Sequence, residues 1–361
     1  MLSDNRIILA SAGSGKTTTI VEEACRVEGC RSALITYTQN GRAELSDKAY
    51  EMFGAIPANV KINTWYAFIL QHFVRPFQNH LYETRVSTIN FKRGRTARGV
   101  KKDQTNRFFF SSRDRIRLDK VTDFICELIK KTDGLPIQRF EKIFDHLYID
   151  EAQDLSGYDL ELIEILLQSS TRITLIGDHR QATFSTNDNP KNNAYWGPRI
   201  VNKFEDWAKA DLASIEYQTH SNRCIQAICD YADQFYPDFP KTESRNETVT
   251  DHDGIFAVEL TQIDAYQDHF NSQPLRYNKR TGDVAGRPMN YGQVKGMTFD
   301  RTLIYPHGPL LKYLKTGDLK DAGKELPKLY VAVTRARQSV AFVVPDGFKP
   351  AHVQLFRFPP R

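Results

Sequence analysis

Eight consecutive residues, Ala10-Ser-Ala-Gly-Ser-Gly-Lys16-Thr17, combine the groups that hold a phosphate. Gly13 and Gly15 let backbone N–H groups turn toward an anion, Lys16 can reach the β- and γ-phosphates of a nucleotide, and the Thr17 hydroxyl can ligate Mg²⁺. A plain Gly/Ser turn between strand and helix is the alternative, but an apolar strand directly before and a helix directly after are the context such a loop requires. Ala10, Ser11, Ala12, Ser14 and Thr18 complete the expected nucleotide-binding set, with Ala10 standing where the usual motif begins with Gly. A second group, Leu147-Tyr-Ile-Asp150-Glu151-Ala-Gln153-Asp154, is an apolar strand ending in adjacent carboxylates. Next to a phosphate loop, Asp150 is expected to bind Mg²⁺ and Glu151 to orient and deprotonate an attacking water. Taken alone, the pair also reads as a solvated strand cap. A third strand ends in Gly177-Asp178-His-Arg-Gln181 and puts an amide at the carboxyl edge where open α/β sheets bind ligands. Arg223 and Arg335, at the ends of two later helices, could together stabilise charge developing on a γ-phosphate. Each by itself reads rather as a surface arginine or a partner of a helix dipole.

The elements that must position these groups alternate in the βαβ pattern of a parallel sheet. The first half reads as strands Arg6–Ala10, Ala33–Thr38, Val60–Asn63, His146–Asp150 and Arg172–Gly177. Helices Lys16–Glu28, Gly41–Phe53, Thr64–Phe77, Leu118–Lys131, Ile137–Phe144 and Gly157–Gln168 run between them. The turn-rich stretch Ser185–Pro198 predicts a domain boundary. Beyond it come strands Ala213–Tyr217, Gly254–Leu260, Arg301–Tyr305 and Ser339–Val344, with helices over Arg223–Phe235, Thr261–Phe270 and Leu326–Arg335. The expected division is therefore one α/β domain over 1–190 and another over 191–361, with an insertion at about 78–135 where the alternation stops.

At 361 residues with 40% apolar content, the chain has enough to build two cores. Its formal charge of +5 conceals an uneven distribution. Residues 85–117 carry eleven Lys/Arg against Asp103 and Asp114, a local +9 that leaves the rest of the chain at −4. With no signal-peptide pattern and no long apolar run, a soluble cytoplasmic protein without membrane contact is expected. The five cysteines, Cys25, Cys30, Cys126, Cys224 and Cys229, include no CxxC and read as reduced packing residues. His220 near Cys224 and Cys229 lacks metal-ligand spacing.

Taken in order, ASAGSGKT, Thr36-Tyr-Thr38-Gln-Asn, Asn63-Thr64-Trp-Tyr-Ala-Phe68, IDEAQD, GDHRQ, Asn222-Arg223-Cys224, Val294-Lys295-Gly296-Met-Thr-Phe299-Asp300 and Leu329-Tyr330-Val-Ala-Val-Thr334-Arg335-Ala336 resemble the motif series of UvrD/Rep-like superfamily 1A DNA helicases. The resemblance spans residue 7 to about 344. It implies two RecA-like parallel-sheet domains of the P-loop NTPase type, ATP and Mg²⁺ held in the cleft between them, and single-stranded DNA across both. By position, Lys16, Thr17, Asp150 and Glu151 resemble the hydrolysis apparatus, Gln181 the residue coupling γ-phosphate to DNA, and Arg223 and Arg335 the two family arginines. Thr36, Thr38, Thr64 and Phe68 resemble DNA-contacting positions, Phe184 a base-stacking aromatic, and Lys295 a position that persists in a later DNA-contacting segment. For Trp65, Tyr66 and Phe68, helical spacing fits core packing equally well.

The departures cluster at the nucleobase. Only Met1 to Asn5 precede Arg6, so no upstream Gln is available to read adenine; Thr18 replaces a basic residue, and Asn222 replaces a stacking aromatic. Other NTPs besides ATP are therefore expected as substrates. Asn290, Gly292 and Thr298 replace residues that contact DNA and the nucleotide sugar. About 65 residues separate Arg223 from Asn290, too few for the large second accessory subdomain. The basic insertion occupies the place of the first, and Arg98, Lys101 and Lys102 are its candidate DNA contacts, with Phe108–Phe110 as stacking or packing aromatics. The leading expectation is an NTP-dependent helicase or translocase with 3′→5′ polarity on single-stranded or tailed duplex DNA. The alternative is a nucleotide-gated DNA-binding subunit controlling a partner, such as a nuclease or a replication or defence factor.

Overall fold

Apolar strands and amphipathic helices alternate along the chain and assemble into two parallel sheets. The computed structural model describes residues 4–282 and 284–358, and the chain divides into two compact units. The first contains Met1–Leu9 and Lys16–Glu216, the second Ala10–Gly15 and Tyr217–Arg361. The expectation about contacts upstream of Arg6 rests partly on residues 1–3, outside the described residues.

In the first sheet the strands lie in the order Val60–Thr64, Ser32–Thr36, His146–Ile149, Arg172–Gly177, Arg6–Ala10 and Ser214–Gln218. The first five pair in parallel, each with helices between it and the next. Strands such as Ser32–Thr36 and His146–Ile149 are buried throughout, as expected where helices cover both faces. Parallel strands turn their carboxyl ends to one edge, so the ends of Arg6–Ala10, His146–Ile149 and Arg172–Gly177 bring Lys16, Asp150 and Asp178 to the same side.

The division between units falls at Glu216/Tyr217 and not at 190/191. Turn composition at 185–198 marks a loop inside the first unit, followed by a helix, Ile200–Lys209, that sequence reading passed over. Phe204 and Trp207 are buried, and both Lys203 Nζ (2.5 Å) and Trp207 Nε1 (2.9 Å) donate to Glu164 on helix Tyr158–Leu167. The strand expected to open the second domain is instead the edge of the first sheet. Buried Asn5 ties this region down: its amide donates to Leu167 O and Leu212 O, and its Oδ1 accepts from Ile173 N at 2.8 Å.

The basic insertion is also smaller than 78–135. Its own structure is a three-strand sheet ordered Thr88–Asn90, Arg115–Arg117, Phe110–Ser112, with a short helix Thr105–Phe109. Helix Val121–Lys131 is buried all round its first turns, from Val121 to Cys126, and belongs to the main body. The expected helix Thr64–Phe77 is an α-helix only over Trp65–Ile69 and continues as a π-helix over Leu70–Val74.

The second sheet, likewise parallel, runs Met289–Asn290, Gln273–Arg276, Phe299–Tyr305, Ala336–Val344, Gly254–Glu259, Gln354–Leu355. Its central strands Phe299–Tyr305 and Ala336–Val344 are flanked by a core including Ile228, Leu329, Val331 and Phe342. All five cysteines are free thiols, and four are buried. No described helix is long and apolar enough to cross a membrane, and no described cluster of three or more His, Cys, Asp or Glu could hold a metal ion.

Candidate active site

Gly13 (φ +79°) and Gly15 (φ +88°) give the loop its left-handed turns. At Gly13 two constraints coincide, because a β-carbon there would also stand 2.7 Å from Arg223 Cβ and from Ser221 Oγ. Within the second unit, Ser11 N donates to Gln218 O (2.8 Å), Ser221 Oγ to Ala12 O (2.7 Å) and Asn222 N to Gly13 O (2.9 Å). The side chain of Asn222, standing where an aromatic is expected, also faces the loop backbone, with Nδ2 3.5 Å from Ser14 O. Helix Lys16–Arg26 follows at once and has no acidic residue in its first turn, so its N-terminal dipole remains available to an anion.

Opposite ends of a short polar chain fix the acidic edge of the first unit. Asp150 N donates to Ile35 O at 2.7 Å, and Asp150 Oδ1 accepts from Glu151 N at 2.8 Å. Glu151 is held at φ 55°, ψ 38°, a left-handed conformation costly for a residue with a side chain and frequent at functional sites. Gln153, 2% exposed, is the positioning residue that sequence reading quoted but gave no role. Its Nε2 donates to Glu151 Oε2 while its Oε1 accepts from Asp178 N at 3.1 Å, joining the ends of two strands. Gly177 makes room for it, since a β-carbon there would fall 2.2 Å from Gln153 Oε1. The signal was present in the sequence as a glycine at a strand end and an amide two residues past Glu151.

Burial, and then the neighbouring Glu151, push the Asp150 carboxyl up to about 7, with Lys16 opposing them. A buried carboxylate whose charge is this costly suits a cation, and carboxylate and hydroxyl oxygens are donors that Mg²⁺ uses. Asp150 and Thr17 therefore fit the ion implied by the family resemblance. Asp178 behaves oppositely: burial works against its charge, but Arg180, Lys16 and His179 hold it well below the usual carboxylate range. Arg180 Nε (2.9 Å) and Gln181 Nε2 (2.9 Å) both donate to it, so Gln181 sits at the expected edge, anchored through Asp178.

In the second unit Arg223 and Arg335 converge on Thr334. Arg223 Nη1 donates to Thr334 O at 3.1 Å; Arg335 Nε donates to Val331 O at 3.2 Å and its Nη2 lies 3.5 Å from Thr334 Oγ1. Both lie outside the helices expected to contain them, which span Gln226–Asp233 and Leu326–Val333.

Several candidate DNA contacts need correction. Phe68 is fully buried among His72, Phe73, Phe140 and Phe144 and is a core residue. Thr36 and Thr64 are buried as well. Thr38 is exposed, but its Oγ1 accepts from Gly41 N at 2.9 Å and caps helix Gln39–Phe53. Phe184 is 55% exposed. Lys295 is half-buried, and Asn290 is used in a capping box with Gln293. Of the aromatic triplet, Phe109 and Phe110 are buried and Phe108 lies under Lys120, so the triplet packs.

Lys102 also leaves the DNA-binding set: its Nζ bonds Asp123 Oδ1 (2.5 Å) and Glu127 Oε1 (2.9 Å). Arg98 and Lys101 are exposed, with no ion pair among the described residues. Each phosphate contact on a single strand contributes a salt slope of about 0.7. Neutralising Arg98 and Lys101 together should flatten the slope for single-stranded DNA by up to about 1.4, while Lys102→Ala should lower stability by stranding the buried Asp123. Binding titrations at several salt concentrations measure this, and an unchanged slope for the double variant refutes it.

Residues 1–187 match the family described as the AAA domain. No curated protein matches the chain significantly. Similar solved structures include the arterivirus nonstructural protein 10 helicase (16% identity, 95% of this chain and 60% of that chain, TM-score 0.47). The same protein in complex with DNA gives 18% identity, 95% and 61% coverage and a TM-score of 0.49. The PRRSV helicase gives 17% identity, 96% and 53% coverage and a TM-score of 0.46. The chain thus spans between 53% and 61% of the length of these structures.

Proposed function

The chain belongs to the AAA-domain family, and from the resemblance of its motif series to UvrD/Rep-like superfamily 1 helicases we propose that it hydrolyses Mg²⁺-nucleotide and uses the cycle to move along single-stranded DNA. One observation carries this reading: within the first unit, Lys16 at a helix N-terminus, buried Asp150 with half-buried Glu151 beside it, and Gln181 all occupy the carboxyl edge of a single parallel sheet. Lys16 and the helix N-terminus would hold the β- and γ-phosphates. Asp150 and Thr17 would hold Mg²⁺, which when bound neutralises phosphate charge. Glu151, oriented by Gln153, would align and deprotonate the attacking water. Arg223 and Arg335 would offset charge on the transferred phosphoryl group, and Gln181 would link its loss to the DNA-facing residues. The 3′→5′ polarity follows the family resemblance alone.

The test is hydrolysis with and without single-stranded DNA, together with strand displacement on a tailed duplex. Strong stimulation with unwinding is the expected result, and hydrolysis-free nucleotide binding would overturn it. In the same assay ATP, GTP, CTP and UTP should differ by less than about tenfold in kcat/KM, because Thr18 and Asn222 stand where the resemblance places base-contacting side chains while the phosphate loop is kept. Strict ATP preference would refute this. A second reading, a nucleotide-gated DNA-binding subunit that regulates an effector, draws support from the commitment of Asn290 to a cap and the burial of Thr36, Thr64 and Phe68.

A further inference from the structure

The first sheet has a second built edge, opposite the one that gathers Lys16, Asp150 and Asp178. Parallel strands that send their carboxyl ends to one side must open on the other, so Arg6, His146 and Arg172, the first residues of three neighbouring strands, stand together there. Helix Lys16–Arg26 runs back along the sheet and brings Arg26 to the same edge, with Cys30 in the turn that follows. These groups line a cavity of ≈ 530 Å³, a volume within the range of small-molecule sites.

Tyr148 and His146, two residues apart on one strand face, form its floor, with their rings stacked at 3.9 Å and only 3% and 4% exposed. His146 Nε2 meets Thr174 Oγ1 at 2.9 Å, while its Nδ1 and the Tyr148 hydroxyl make no hydrogen bond among the described residues. Besides burial, the groups that act on the Tyr148 phenol are Glu23, Arg6, Cys30 and Arg172, all in the cavity lining, so the hydroxyl is directed into the cavity. Burial, and then Arg172 and Arg6, press the His146 imidazole down to about 3, which keeps the ring neutral. A buried polar atom without a partner is costly, and a ligand in the cavity supplies the partner. At the rim, Arg6 is held by Glu23 and, at 3.7 Å, by Glu216. Arg172 and Arg26 are looser: Arg172, with its side chain 52% exposed, lies 3.8 Å from Asp4, which is itself 84% exposed, and Arg26 pairs only with Glu22 one turn earlier. Exposed pairs of this kind hold weakly, so both guanidiniums can turn to another anion.

We propose that this cavity binds a small organic phosphate monoester, with its phosphate held by Arg172 and Arg26 at the rim, the Tyr148 hydroxyl donating to it from the floor, and its apolar body against Val27. Two guanidinium forks and a phenol converging from different elements suit the three oxygens of a phosphate better than the planar pair of a carboxylate. The three arginines of the lining outnumber its carboxylates, Asp4 and Glu23. None of these residues belongs to the phosphate loop or the acidic edge, so the site stands independently of the function proposed above. It grips the rear of the elements that carry those groups, because the strands opened by Arg6, His146 and Arg172 lead straight to the phosphate loop, Asp150 and Asp178.

Cys30 makes the test local. It is half-buried while the other four cysteines are buried, so iodoacetamide should label it first, and Cys30→Ser should abolish the fast phase. With a non-hydrolysable Mg²⁺-nucleotide present throughout to occupy the phosphate loop, phenyl phosphate should slow alkylation of Cys30, mapped by peptide mass spectrometry, and phenol at the same concentration should not. Arg172→Ala should raise the phenyl phosphate concentration needed for half protection by about tenfold or more, the loss expected for one charge-assisted contact. Tyr148→Phe, which keeps the ring and its packing, should raise it by about threefold, the loss of one neutral hydrogen bond. Arg113→Ala, an exposed arginine of the insertion, should leave it unchanged. Equal protection by phenol, no protection by phenyl phosphate, or protection undiminished in Arg172→Ala overturns the site.

Discussion

Lys16→Ala should lower NTP turnover by about 100- to 1000-fold, the loss that follows removal of one preorganised charge at a reacting centre. Lys16 enters the electrostatics of both Asp150 and Asp178, which places its ammonium among the carboxylates of the acidic edge. Glu151→Gln should reduce turnover by a comparable ~100- to 10,000-fold, the range for a positioned general base, but through a different parameter. The amide keeps the shape and can still meet Gln153, so nucleotide affinity should hold while kcat collapses; Lys16→Ala should weaken both. Steady-state hydrolysis alongside nucleotide-binding titrations separates the two. Near wild-type turnover in either variant refutes the site assignment.

The second large effect concerns stability. Arg180 and Asp178 are each about 1% exposed, and their ion pair measures 2.9 Å. Removing one member of a buried pair strands the other's charge and costs about 3–5 kcal/mol. Arg180→Met should therefore shift the denaturant midpoint strongly downward. Adding Asp178→Asn should restore part of the loss, because a neutral amide costs less to bury than a carboxylate that has lost its guanidinium partner. A single variant as stable as wild type would mean that the pair is not buried as described. Since Asp178 also anchors Gln181, the double variant should fold and still hydrolyse poorly.

Much of the first sheet could be read directly from the sequence. Arg6–Ala10 and Arg172–Gly177 are apolar runs bounded by turn residues, and both strands have the expected limits. The phosphate loop was equally plain, because glycine spacing and flanking elements are local properties. What escaped was set by distant partners. Phe68 sits at helical spacing, which tells of a face but not of what covers it; residues 140 and 144 do. Lys102 looks like any cation in a basic run until Asp123 and Glu127 arrive from the next helix. Helix Ile200–Lys209 had the necessary spacing in Ile200, Phe204 and Trp207 but followed a stretch so rich in turn formers that a boundary seemed to lie there. Strand Gln273–Arg276 is four residues long and contains Pro274, too little pattern to notice.

The path of the backbone around residues 10–15 limits how the protein can be dissected. The chain leaves its first compact unit after Leu9, joins the second for six residues, returns at Lys16, and crosses again at Glu216. Hydrogen-bond partners of the loop therefore come from Gln218, Ser221 and Asn222, beyond the 1–187 segment that the family match covers. A fragment ending at residue 187 or 216 would keep every letter of the signature and lose the scaffold that shapes it. Modular exchange of the amino-terminal half, the natural cut for a domain shuffler, would carry away half of a knot; a graft that preserves the loop must bring residues 217–223 with it.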